Sequence, residues 1–178
     1  PIAWLKDEGI AQGYSDGSFG PGLTVSRQAA VAYLARMSGA EAAECTEAPF
    51  SDVPVGHPFC SEIAAIAGLG ITGGYADGTF RPTLTVSRQA LASFLYKLAG
   101  SPDVPGDAPT FSDVPAGHDF EDAIRWMASE DITTGYADGT FGTTRPVTRQ
   151  ATAVFLHRMV GSPAPDPAAP EFRDLPAG

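Results

Sequence analysis

Apolar positions along this chain recur with helical spacing in two stretches per period of 61 residues. Phe59, Ile63 and Ile66 fall at i, i+4 and i+7, which predicts one buried face of a helix. Phe120, Ile124 and Met127 repeat that face one period later. A second stripe, Leu91, Phe94, Leu95 and Leu98, is matched by Tyr33, Leu34 and Met37 and by Phe155, Leu156 and Met159. Polar and small residues punctuate these stripes. Gly70 followed by Ile71 reads as a left-handed helix stop with an apolar residue after it. Gly9-Ile10 repeats the stop, and Asp131-Ile132 substitutes a residue that tolerates the left-handed region. Gly74-Tyr75-Ala76-Asp77-Gly78-Thr79-Phe80 then forms a tight turn, copied at 13–19 and 135–141, whose aromatics are expected to anchor it inward. Ser26, Ser87 and Thr148 are N-cap oxygens for the second helix, which Gly39, Gly100 and Gly161 close.

The register never slips: Tyr14, Tyr75 and Tyr136 are 61 apart, and so are Arg27, Arg88 and Arg149. A unit of this length cannot bury its apolar face alone. The expected architecture is therefore all-α, with three helix–loop–helix repeats in a pseudo-threefold arrangement around one shared core. The units are read as 1–49, incomplete at its start, then 50–110 and 111–171. Residues 172–178 repeat the Phe-x-Asp opening and are read as the opening of a further repeat, or as a segment that folds back to complete the first unit. Pro1 aligns with Glu62 and Ala123, so the chain reads as a piece of a longer polypeptide.

Composition narrows the function. A net charge of −10 argues against nucleic acid and anionic membranes as general partners, since both call for a basic face. No apolar run reaches membrane-span length. Cys45 and Cys60 have no counterpart in the other units and are either reduced thiols or a local bridge. With no CxxC and no metal-ligand spacing, the bridge is favoured. Absent asparagine and an excess of arginine over lysine predict a high-GC bacterial source, such as an actinobacterium. His57 and His118 occupy matching Gly-His turns, where turn hydrogen bonding is favoured over metal. The Asp-Gly loops lack the alternating oxygens of a calcium loop. No nucleophile–base set recurs and no phosphate-binding or dinucleotide motif is present, so neither enzyme nor cofactor is expected.

What recurs is an arginine in the first turn of each second helix, an end that already carries partial positive charge. Placing Arg27, Arg88 and Arg149 there predicts an anion, received by the guanidinium and free backbone N–H groups. Two bland alternatives stand beside it. Each arginine pairs with its loop carboxylate, Asp16, Asp77 or Asp138, or it clamps the adjacent repeat. Tyr14, Tyr75 and Tyr136 offer hydroxyls but are read chiefly as anchors. Trp4 and Trp126 share a repeat position held by Ala65 in the second unit. They either stack on a sugar or pack between repeats.

The Phe-x-Asp-Val-Pro opening, the Gly-Tyr-x-Asp-Gly-x-Phe loop and the Ser/Thr-Arg helix start together resemble the S-layer homology (SLH) family across essentially the whole chain. That resemblance implies a pseudo-threefold helical module that anchors exported proteins non-covalently to the cell wall, outside the cell. The ligands it implies are secondary wall polysaccharides, often pyruvylated, or a peptidoglycan-linked glycan. By position, Arg27, Arg88 and Arg149 contact the acidic sugar in inter-repeat grooves, with Gln28, Gln89 and Gln150 beside them. The family's Thr-Arg-Ala-Glu becomes Ser/Thr-Arg-Gln-Ala here, so the reciprocal half of the capping box is lost. Thr143 replaces the proline seen at Pro21 and Pro82, and Pro146 appears later, which predicts an altered or silent groove in the third unit. The competing reading is a protein–protein assembly module with the arginines as clamps.

Overall fold

A computed structural model describes residues 1–40, 44–164 and 172–175. Its helices are α1 (Ile2–Asp7), α2 (Arg27–Met37), α3 (Cys60–Gly68), α4 (Arg88–Leu98), α5 (Glu121–Ser129) and α6 (Arg149–Met159), and no strand forms among the described residues. The caps are those the sequence dictates. Ser26, Ser87 and Thr148 accept from the backbone N–H three residues on, at Ala29, Ala90 and Ala151. After α3 the amide of Ile71 reaches back to Ile66 O, and that of Gly70 to Ala67 O, the paired bonds of a Schellman stop. Asp131, at φ 55°, performs the same turn after α5.

Helix packing runs in a cycle: α2 lies on α3, α4 on α5, and α6 on α1. Each unit's second helix thus covers the first helix of the next. At the centre three valines close a ring of backbone bonds. Val86 N–H donates to Val25 O at 2.9 Å, Val25 N–H to Val147 O at 3.0 Å, and Val147 N–H to Val86 O at 3.1 Å. Around it the core is continuous, with Leu5, Leu34, Ile63, Leu91, Leu95, Ile124 and Met127 fully buried. Phe19, Phe80 and Phe141, the last residue of each loop, are buried with them.

Each loop is held by a Phe-x-Asp segment. The Asp52 carboxylate accepts from the amides of Phe80 at 2.7 Å and Arg81 at 2.8 Å. Asp113 accepts from Phe141, Gly142 and Thr143. Asp174 accepts from Phe19 and Gly20, both at 2.7 Å, so residues 172–175 stand against the first loop as 50–53 stand against the second. Phe172 packs on Phe19 with ring centroids 5.1 Å apart, as Phe50 does on Phe80 at 5.4 Å. The cysteines are bridged, Cys45 to Cys60, tying the approach segment to the start of α3. A closed loop of that size contributes about 3 kcal/mol.

Candidate functional site

The three arginines sit at N1 of α2, α4 and α6 and point into the seams between units. All are buried, with 6%, 6% and 8% of their surface exposed. Each Nε donates across the seam to the carbonyl of a loop phenylalanine: Arg27 to Phe80 and Arg88 to Phe141 at 2.8 Å, Arg149 to Phe19 at 2.6 Å. Aromatic rings frame the guanidinium. Arg27 lies 4.8 Å from the Tyr75 centroid, 4.7 Å from Phe80 and 5.6 Å from Phe94. Arg88 repeats this with Tyr136, Phe141 and Phe155, and Arg149 with Tyr14, Phe19 and Tyr33. The ring quadrupoles offset part of the cost of stripping water from the cation.

Burial pulls the Arg27 and Arg88 pKa values below their ordinary level, while Tyr75 and Tyr136 beside them push back. A guanidinium stays charged through such shifts. For Arg27 and Arg88 no carboxylate pairs with the cation, and their terminal nitrogens find no hydrogen-bond partner among the described residues. Arg27 borders a hollow of about 340 Å³ whose lining includes Tyr75, Gln89, Ser93, Phe94 and Lys97. Gln89 Oε1 is buried there and unpartnered among the described residues. The Arg27 seam therefore combines a cation with open N–H groups, aromatic walls and polar side chains, a set able to receive an anionic group.

Several expectations are corrected. The helix N-terminal amides are not free. Those of Arg27 and Gln28 donate to Leu84 O and Pro82 O, those of Arg88 and Gln89 to Arg145 O and Thr143 O, and those of Arg149 and Gln150 to Leu23 O and Pro21 O. The neighbouring repeat has taken them, so the side chain alone faces the seam. Asp16, Asp77 and Asp138 do not pair with these arginines. Each folds onto the backbone and hydroxyl of its own loop, at Ser18, Thr79 or Thr140, and Asp77 bridges Arg81. Tyr14 and Tyr136 do not anchor their loops inward, being 46% and 38% exposed, while Tyr75 is half-buried; the phenylalanines do the anchoring.

Trp4 and Trp126 are buried at 5% and pack on His157 and Tyr96, across the α1–α6 and α4–α5 seams. His57 and His118 accept from the amides of Phe59 and Phe120 through Nδ1. Gln150 borders a different hollow, with Pro21 and Asp174. Thr143 keeps the carbonyl contact that Pro21 and Pro82 make. Two groups of framing residues were missed by sequence reasoning. Arg81 and Arg145 lie 4.0 and 4.5 Å over Tyr75 and Tyr136, from positions that differ between the repeats. The Phe-x-Asp carboxylates carried a signal, recurrence in register, but read as ordinary turn residues.

These features define a helical three-unit module whose candidate ligand sites lie between its repeats. Comparison with known proteins agrees: the S-layer homology domain model matches residues 1–31, 49–92 and 110–153. Cell surface glycoprotein 1 of Acetivibrio thermocellus is 30% identical over 159 residues, covering 83% of this chain and 7% of the relative. S-layer protein EA1 of Bacillus anthracis is 37% identical over 65 residues, 36% of this chain and 8% of the relative. The outer membrane protein SlpA of Deinococcus radiodurans is 42% identical over 52 residues, 29% of this chain and 4% of the relative. The chain belongs to the S-layer homology domain family, modules that anchor cell-surface proteins to the wall. It spans less than a tenth of the length of these relatives.

Proposed function

We propose that this chain is a non-covalent anchor that binds an acidic secondary cell-wall polysaccharide, pyruvylated or otherwise carboxylated, through its inter-repeat clefts. The observation that carries the reading is a buried, charged guanidinium at Arg27 and at Arg88 with no carboxylate in ion-pair contact among the described residues, Asp52 and Asp113 acting on them only from a distance. A buried cation left unpaired is costly, and a ligand carboxylate offers bidentate charge-assisted bonds. The net charge of −10 does not prevent this, because screening beyond a Debye length of about 8 Å leaves local geometry in control. No catalytic step is assigned to the chain.

A second reading has its own support. The Nε bonds to Phe19, Phe80 and Phe141 join different repeats, so the arginines also act as clamps, and the module could serve protein assembly in a surface layer. Co-sedimentation with bacterial cell walls, before and after extraction of secondary polymers, separates the two. The anchoring reading expects binding that vanishes on extraction and in a folded Arg27/Arg88/Arg149→Ala variant. Undiminished binding by that variant rejects it.

A further inference from the structure

One hydroxyl sets the Arg149 cleft apart from the other two. Position 33 corresponds by the 61-residue step to Phe94 and Phe155, but carries tyrosine. The Phe94 and Phe155 rings flank Arg27 and Arg88 without offering an acceptor. Tyr33 instead accepts a hydrogen bond from Arg149 Nη1 through its hydroxyl. Arg149 therefore has a partner on a terminal nitrogen as well as on Nε, whereas Arg27 and Arg88 have one only on Nε among the described residues. Tyr33 is 5% exposed, and burial raises its pKa although Arg149 opposes the rise, so the hydroxyl remains neutral and in place. A second difference points the same way. Tyr75 and Tyr136 each carry a second guanidinium, from Arg81 and Arg145, but the matching positions in the first repeat are Gly20 and Leu23. No second guanidinium lies over Tyr14 among the described residues.

Resting on the anchoring reading above, we propose that the module has two working clefts, at Arg27 and Arg88, and that Tyr33 silences the third by occupying the Arg149 guanidinium. An incoming carboxylate must displace the hydroxyl to gain the bidentate contact that the other two clefts leave open. Tyr33 is thus a specificity-determining residue that sets how many acidic sugars one chain holds.

The test is wall affinity by co-sedimentation, with folding checked by circular dichroism. Clefts on one module share a polymer, so losing or gaining one changes avidity by tenfold or more. R27A and R88A are each expected to weaken binding at least tenfold, and R149A less than twofold. Y33F, which installs the residue type of the other two clefts, is expected to strengthen binding about tenfold, and adding R149A should erase that gain. Equal losses for R27A, R88A and R149A overturn the silent cleft while leaving the anchoring reading intact. So does a Y33F variant with unchanged affinity, which decides the matter even where R149A fails to fold. Retained binding by the triple arginine variant overturns both.

Discussion

Removing water from a guanidinium costs several kcal/mol, and Arg27 and Arg88 recover part of it from one carbonyl bond and three surrounding rings. The remainder is what an anionic ligand would offset. The carboxylates solve the converse problem. The Asp77 pKa falls to about 2, through the Thr79 hydroxyl first and then Arg81. Asp16, Asp138 and Asp174 are lowered too, Asp16 and Asp138 by the hydroxyls of Ser18 and Thr140 and Asp174 by the amide of Phe19. At Asp113 burial pushes upward, but the amides of Thr143, Phe141 and Gly142 outweigh it. A depressed carboxylate stabilises the fold fully above its unfolded value of about 3.9 and loses that contribution as pH falls through the folded value. The urea midpoint should therefore keep the full contribution of these groups, unchanged with pH, between pH 7 and 5 and drop between about pH 4 and 2. D113N should lower the midpoint at pH 7 and flatten the acid limb. A midpoint that falls equally in both proteins would show that Asp113 carries none of it.

At the scale of elements, two glycines with the same backbone angle do different work. Gly70 has φ 72° and empty space where a Cβ would stand. Gly74 has φ 70°, and a Cβ there would meet the Phe50 ring at 2.5 Å and Thr79 O at 2.6 Å. G70A should cost about 1 kcal/mol, the left-handed penalty alone. G74A adds a clash with backbone and with the ring that seats the loop, so its melting temperature should fall several times further. Equal losses in thermal denaturation would contradict that packing. The helix stop at Gly70, the N-caps and the Asp-Gly turn were all legible in the sequence, because each depends on residues within a few positions of one another. The Tyr75 orientation was not, since it depends on Arg27 arriving from another repeat. The same holds for the amides of Arg27 and Gln28, which looked free because their acceptors, Leu84 O and Pro82 O, lie a full unit away. Register disclosed which residues recur, and the partners came only with the tertiary arrangement.

For the whole molecule the question is what closes the cycle. Two seams are continuous in sequence, but the third joins α6 to α1, and the first loop is seated by residues from the far end of the chain. Phe172 is 3% exposed, packed at a tilt against Phe19 with Lys6 Nζ 4.3 Å from its ring centroid, and Asp174 holds the amides of Phe19 and Gly20. Phe19 carries the carbonyl that orients Arg149, so the terminal segment reaches the third cleft through one residue. If the segment completes the first unit, F172A removes a core ring and should cost about 3–5 kcal/mol. Truncation after residue 171 should cost at least as much, since it also strips the acceptor from two loop amides. The loss should appear in one cooperative melting transition, because the α1–α6 seam and the central valine ring share the same core. An F172A protein that melts like the parent would mean that the cycle closes without its last segment. A separate early transition on truncation would mean that the first unit is only appended to a stable pair. Because Arg27 and Arg88 lie in the seams between consecutive units, D174A should disturb the first loop while leaving binding at those two clefts intact. Wall affinity and melting temperature measured on D174A would then part company, and a joint fall would place closure of the ring upstream of every cleft.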